Sequence, residues 1–209
     1  IPAEKIKNNV ELKRVEQGQK IKLSLSNNLI EEFDYLVVSD GVFSKTKSII
    51  LEKDTSPKFF NSVALRGNIK NLDNNDISLY LGPNFHFVIY PVNQNKEFNF
   101  ISIIRKKLSE NEISNQNLFE SSDFLKSLCN EVYQKTAINL NDKLENIKSF
   151  PIYVSEKFED FNYKNIYFVG DALFTFPPSF AQGASQSIEA AKEAFEEINN
   201  NSDSYYEKR

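Results

Sequence analysis

Residues Asn165 to Ala194, reading NIYFVGDALFTFPPSFAQGASQSIEAAKEA, constrain the fold more than any other part of the chain. Ile166–Val169 is a short apolar run that suits a buried strand. It ends at Gly170-Asp171. Pro177-Pro178 lacks two backbone N–H groups and stiffens the loop that follows. Gln182-Gly183-Ala184-Ser185 then opens a helix with Ile188, Ala191, Phe195 and Ile198 on one face. A carboxylate at the end of a strand accepts hydrogen bonds from hydroxyls. Free N–H groups at a helix start favour anions and electron-rich carbonyls. The stretch therefore predicts a site for an extended ligand with polar and anionic groups.

A second turn shares this logic. Residues 10–38 read as a small β-meander, with Ile21, Leu23 and Leu25 alternating with polar residues. Its last strand, Phe33–Val38, ends at Ser39-Asp40-Gly41, where Gly41 can take a positive φ. Val42–Lys47 reads as a short helical segment.

From Asp54 the pattern changes to four strand candidates, Ser62–Ile69, Ile77–Leu81, Phe85–Val92 and Phe98–Arg105. Connections at Asn71–Asn75 and Asn93–Lys96 suit turns, so the sheet should be antiparallel. Phe85, Phe87 and Ile89 share the buried face, leaving His86, Val88 and Tyr90 on the other. Residues 117–135 have helical period, with Ser114 as the cap. Ile147–Val154 contains Pro151 and reads as an edge strand. Glu193–Glu197 reads as a solvated helix face, and SDSYYEKR as too short for an element of its own.

Composition narrows the function. The net charge of −4 argues against a nucleic-acid partner, which needs a basic surface. No apolar run approaches the roughly 18 residues of a membrane span, which leaves peripheral membrane contact open. One cysteine and one histidine, Cys129 and His86, exclude zinc sites built from Cys and His clusters. The lone Cys129 forms no internal disulfide, which fits a cytoplasmic setting, and no metal is expected. Cys129 reads as an inert helix residue. His86 reads as a strand histidine before a substrate contact. Arg66 reads as half of a local ion pair before a contact for a substrate carboxylate. Tyr90 and Phe176 read as core aromatics before pocket walls.

Two segments together resemble the flavoprotein monooxygenases of the para-hydroxybenzoate hydroxylase type, including the ubiquinone-pathway hydroxylases. Asp34–Ser44 is similar to that family's D-L-V-V-G-A-D-G-x-x-S segment. Ile166–Ala191 is similar to V-x-L-x-G-D-A-A-H-x-x-P-P-x-x-G-Q-G-x-N-x-x-I-E-D-A. Spacing is kept from Gly170-Asp171 through Pro177-Pro178 to Gln182-Gly183 and Ile188-Glu189. Leu65-Arg66-Gly67, Gly82-Pro83 through Val92, and Tyr206–Arg209 carry weaker similarity. The chain departs at Val38, Ser39, Lys47, Phe174, Ala181, Ser185 and Ala190.

The resemblance implies an α/β fold, the C-terminal part of an FAD-binding domain with an inserted antiparallel substrate domain. The FAD-binding parts would be residues 1–53 and 162–209, and the insert 54–161. It implies that Asp171 meets a ribityl hydroxyl of FAD and that N–H groups of Gln182, Gly183, Ala184 and Ser185 face the flavin. Gly170 would form the turn, Pro177 and Pro178 would line the flavin, and Asp40 and Gly41 would support the pyrophosphate and the approach of NAD(P)H. It implies a monooxygenase using NAD(P)H and O2 on a small aromatic or quinone-like substrate. A reductase or dehydrogenase of the same fold, and a non-catalytic ligand-binding module, are the alternatives. None of the six glycines, at positions 18, 41, 67, 82, 170 and 183, makes a G-x-G-x-x-G turn. The chain thus reads as a fragment lacking the N-terminal dinucleotide-binding motif, unable to hold FAD tightly alone and inactive alone.

Overall fold

The computed structural model describes residues 1–70, 76–94, 96–141, 146–178, 181–200 and 204–208. The chain divides into two compact units, Ile1–Lys58 with Val154–Arg209, and Phe59–Tyr153. Sequence placed the second junction after residue 161, whereas residues 154–161 cluster with the first unit.

The first unit opens with an antiparallel meander of β1 (Leu12–Glu16), β2 (Ile21–Leu25) and β3 (Ile30–Phe33). Asn28 turns the chain between β2 and β3 in the left-handed region (φ 62°), which Asn tolerates better than most residues. The expected single strand Phe33–Val38 is divided. β4 (Leu36–Val38) leaves the meander and pairs in parallel with β10 (Ile166–Phe168), register Leu36 with Ile166 and Val38 with Phe168. Alternation of apolar residues predicts a strand but not its distant partner. Ile21, Val38, Phe161, Ile166, Phe168, Ala172 and Leu173 form the core beneath this pair.

Helix α1 (Lys45–Leu51) starts three residues later than the helical segment expected from Val42. The Lys47 N–H donates to Ser44 Oγ (3.0 Å), and the Thr46 N–H to Asp40 Oδ2 (3.1 Å). The two caps fix where the helix begins.

Helix α5 (Gly183–Asn200) packs on a face different from the one expected. Ala190 and Ala194 are buried with Tyr167, Val169 and Tyr205. Ile188 and Phe195 are 71% and 65% exposed. The cause is the close approach of the 3-10 turn Gly170–Ala172 to Ser187, which rotates the stripe Ser187, Ala190, Ala194, Glu197 inward. Glu197, expected on a solvated face, is 2% exposed. Its carboxylate accepts from Ser204 N–H (3.1 Å), Ser204 Oγ (2.7 Å) and Lys208 Nζ (2.6 Å).

The C-terminal segment thereby gains a structural role that its length did not suggest. Tyr205 Oη donates to the Phe168 carbonyl (2.6 Å), and Tyr206 Oη to the Ile166 carbonyl (2.7 Å). Phenol hydroxyls thus satisfy backbone groups of β10 that β4 does not reach. Residues 205–207 form a turn; Asn201 and Arg209 lie outside the described residues.

The second unit is a five-stranded sheet in the order β6-β7-β8-β5-β9. Its strands are β5 (Lys58–Lys70), β6 (Ser78–Gly82), β7 (Phe85–Val92), β8 (Glu97–Arg105) and β9 (Ile147–Val154). Strands β6, β7, β8 and β5 pair antiparallel in that order, and β9 takes the edge that Pro151 predicts. Gly67 permits the close crossing of β9, because a Cβ there would lie 2.5 Å from the Asn146 carbonyl oxygen. The turn expected at Asn71–Asn75 lies outside the described residues.

Two helices stand where one was expected, α3 (Gln116–Glu120) and α4 (Ser122–Thr136), and a further one, α2 (Glu110–Ser114), precedes them. Ser109, Asn115 and Ser121 cap them; Ser114, the expected cap, ends α2. Each cap offers the backbone an alternative to a continuous helix, which hydrophobic period alone does not register. Leu125, Leu128, Cys129 and Val132 of α4 pack with Phe87, Phe98, Phe100 and Ile104. Burial pushes the Cys129 thiol up to about 11, so it carries no thiolate at neutral pH.

Candidate functional site

A cavity of about 590 Å³ in the first unit lies against the stretch that dominates the sequence. One wall is Gly170, Asp171, Gly183, Gln186 and Ala190. Another is Phe158, Leu173, Phe174 and Phe176, and Glu156, Lys157 and Lys208 complete the lining.

The polar wall follows from backbone geometry. Gly170 has φ +58° and touches Ser187 where a side chain would sit, so the turn and the helix meet closely. Asp171 is exposed in the first turn after the strand. Its carboxylate makes no hydrogen bond or ion pair among the described residues. Its own carbonyl accepts from Thr175 Oγ1 (3.0 Å), which holds the turn closed. The Gln186 N–H donates to the Gln182 carbonyl (2.9 Å), the first bond of α5. The N–H groups of Gly183, Ala184 and Ser185 precede that bond and belong to the unsatisfied first turn of a helix. Nothing stands within 4 Å of a Cβ position at Gly183, so a flat ligand can approach this backbone.

The apolar wall is a run of aromatic rings. Phe158 stacks on Phe174 with centroids 6.0 Å apart, and Phe174 meets Phe176 at 4.8 Å. Phe158 continues to Phe161 at 5.7 Å, and Phe161 packs on Phe168 in the core. Phe176, read from sequence as a core residue, is half-exposed at the cavity. Phe158 was missed altogether. Two phenylalanines three residues apart in the polar segment Lys157–Lys164 were the available signal. Lys208 was missed because its place depends on Glu197, whose carboxylate raises its pKa chiefly through their hydrogen bond.

The other residues singled out from sequence are placed elsewhere or at the margin. Gly170, Asp171 and Gly183 line the cavity; Asp40, Gly41, Pro177, Pro178, Gln182, Ala184 and Ser185 do not. Gly41 takes φ +82°, the left-handed conformation expected of it, and Asp40 holds the start of α1. Pro177 is half-buried and Pro178 exposed. Ser185 Oγ donates to the Gln182 carbonyl (2.9 Å). Below the Asp40 turn, Lys47 is buried; burial lowers its pKa, and the charges of Glu159 and Asp40 oppose that change.

In the second unit, His86 is half-buried and burial lowers its pKa. Arg66 makes no ion pair among the described residues, contrary to the first reading of it. Among the described residues no three His, Cys, Asp or Glu side chains gather as a metal site, and no helix is long and apolar enough to cross a membrane.

The residues present fit the ring end of a flavin: a flat ligand between stacked phenyl rings and an open helix start, with a free carboxylate for hydroxyls. They supply nothing matching a dinucleotide turn.

No family model matches the chain, and no curated protein matches it. Solved structures do. The 2,6-dihydroxypyridine-3-hydroxylase from Arthrobacter nicotinovorans aligns with a TM-score of 0.67 at 16% identity, over 92% of this chain and 56% of that one. A salicylate hydroxylase substrate complex aligns at 0.66 and 16%, over 90% and 50%. HpxO from Klebsiella pneumoniae, complexed with FAD and uric acid, aligns at 0.66 and 16%, over 85% and 46%. The chain spans about half the length of these solved chains. Both units take part in likenesses this broad, and the chain has the α/β fold of the FAD-dependent hydroxylases.

Proposed function

We propose that the first-unit cavity is the flavin end of an FAD site in an FAD-dependent monooxygenase. The carrying observation is the unpartnered Asp171 carboxylate beside the open start of α5, facing the Phe158–Phe174 stack. Asp171 accepts hydrogen bonds from the ribityl hydroxyls. N–H groups of Gly183, Ala184 and Ser185 place positive potential beside the flavin carbonyls, where a preorganised donor stabilises developing negative charge. Phe158, Phe174 and Phe176 exclude water from the ring. Gly170 sets the spacing, and Pro177 and Pro178 stiffen the approach loop. Asp40 and Gly41 support the pyrophosphate side and the approach of NAD(P)H. Bound FAD supplies electron transfer from NAD(P)H and oxygen transfer from O2, here to a small aromatic or quinone-like compound.

The dinucleotide half of the site comes from a G-x-G-x-x-G unit that these 209 residues do not contain. The chain alone therefore holds FAD weakly. Fluorescence titration with riboflavin, which lacks the adenylate half, tests the ring site. Saturable quenching that weakens in Asp171→Asn supports the reading; no quenching, or quenching indifferent to Asp171→Asn, overturns it. Stoichiometric FAD on the purified chain overturns the half-site interpretation.

A further inference from the structure

The two edges of the five-stranded sheet are built differently. β9 carries Lys148 and Pro151, residue types that hinder a further strand from pairing. The outer strands of the meander are charged as well, with Lys13, Arg14 and Glu16 on β1 and Glu31 and Glu32 on β3. β6 has none of these devices. From Ile77 to Asn84 there is no charged residue, and no proline before the turn at Pro83. Leu79 and Leu81 of β6 are 58% and 76% exposed on one face, and Ile77, just before the strand, is 72% exposed. An uncharged apolar edge with open backbone groups is a template for another strand.

The register says which backbone groups are open. Pro83-Asn84 is a two-residue hairpin turn, and Gly82 pairs with Phe85 beside it. In such a hairpin the pair next to the turn is hydrogen-bonded, and bonded and non-bonded pairs alternate from there. Gly82, Tyr80 and Ser78 therefore direct their N–H and C=O groups at β7. Leu79 and Leu81 direct theirs away from the sheet. Tyr80 is half-buried against Phe87, with ring centroids 5.8 Å apart, so the edge strand is held in place from its other face.

We propose that β6 pairs antiparallel with β6 of a second copy, joining the two sheets into one around a twofold axis at Tyr80. The open groups select this register, because Leu79 of one copy then exchanges both backbone bonds with Leu81 of the other. Ser78 falls opposite Gly82, Ile77 opposite Pro83, and Tyr80 opposite its own counterpart. Asp76 falls opposite Asn84, so no like charges meet. This self-complementarity selects a second copy over a charged peptide, which would find no opposite charge along the edge. The contact is isologous, and each leucine covers one from the other copy. It is one strand wide on each side, so the dimer is weak, with Kd on the order of 10–100 µM. The interface belongs wholly to the second unit and does not rest on the flavin reading.

Sedimentation velocity over a concentration series, with amide hydrogen exchange followed by NMR on the same samples, tests the proposal. The wild-type chain is expected to pass from monomer to dimer as concentration rises. Exchange at the Leu79 and Leu81 amides should slow in step, and exchange at Tyr80, already bonded to β7, should not. The double variants Leu79→Lys, Leu81→Lys and Leu79→Glu, Leu81→Glu should each dimerise about tenfold more weakly or less, because like charges meet across the axis. Mixed in equal amounts, the two should associate at least as tightly as the wild type. Thermal melts confirm that each variant is folded; both positions are exposed, and if a double variant unfolds, Leu81→Lys alone and the wild-type exchange pattern still decide. A monomer at every concentration, a dimer that survives both double variants, or protection confined to other amides overturns the proposal. So does a mixture of the two variants that stays monomeric, since the register requires Leu79 to face Leu81.

Discussion

Gly170 and Ser187 touch so closely that a Cβ on Gly170 would lie 2.7 Å from Ser187 Oγ. Ser187 Oγ is itself tied to the Gly183 carbonyl (2.8 Å), so it cannot swing away without losing a bond. Gly170→Ala should destabilise the chain by about 1–3 kcal/mol, from the left-handed backbone and the steric contact together. Ser187→Gly should recover the steric part and leave the backbone part. A double-mutant cycle by urea denaturation measures the split; additivity of the two changes would refute the coupling.

Tyr206 donates to the Ile166 carbonyl and accepts from the Phe168 N–H (3.1 Å). Tyr206→Phe leaves both backbone groups without that partner and should cost about 1–3 kcal/mol. Burial, the largest influence, holds the phenol pKa above the ordinary tyrosine value of 10. A phenol kept protonated in the fold deprotonates first in the unfolded chain. The unfolded state then binds fewer protons, so stability falls as pH rises above about 10. Urea midpoints from pH 8 to 11 should decline with pH, and the decline should be shallower in Tyr206→Phe. Cys129 adds a decline in the same direction from about pH 9, since its folded pKa is raised from 9.0 to about 11; Cys129→Ala should remove that share.

Glu197 fixes the C-terminal segment through Ser204 and Lys208. Glu197→Ala removes the acceptor for all three donors. The expected result is rapid proteolytic clipping beyond Asn200, with the rest of the chain intact. Glu197→Gln retains one acceptor and should be clipped at an intermediate rate. Equal clipping of wild type and Glu197→Ala would show that the tyrosines alone hold the segment.

Asp40 and Asp171 both follow strands, yet the structure separates them. Asp40→Ala loses the bond from Thr46 and should cost about 1 kcal/mol, the usual value of a helix cap. Asp171→Asn breaks no bond among the described residues and should change stability by less than about 0.5 kcal/mol. Thermal melts of the two variants compare them directly. A large loss in Asp171→Asn would assign that residue to folding rather than to ligand binding.

The sequence alone carried everything written in short-range pattern. Alternation located β1, β2 and β5 to β8, Pro151 marked β9 as an edge, and Gly170-Asp171 marked the turn that follows β10. These readings held because strand period, missing N–H groups and glycine conformation act within a few residues.

The tertiary structure decided what depends on a distant partner. It sent β4 to β10 rather than to the meander, and it turned Ala190, Ala194 and Glu197 inward instead of Ile188 and Phe195. It broke the expected single helix at Ser121, brought Phe158 to Phe174, and gave the tyrosines of the tail an edge to cap. A helix's apolar stripe says how much surface can be buried, whereas one glycine without a Cβ, meeting one serine, fixes which stripe is.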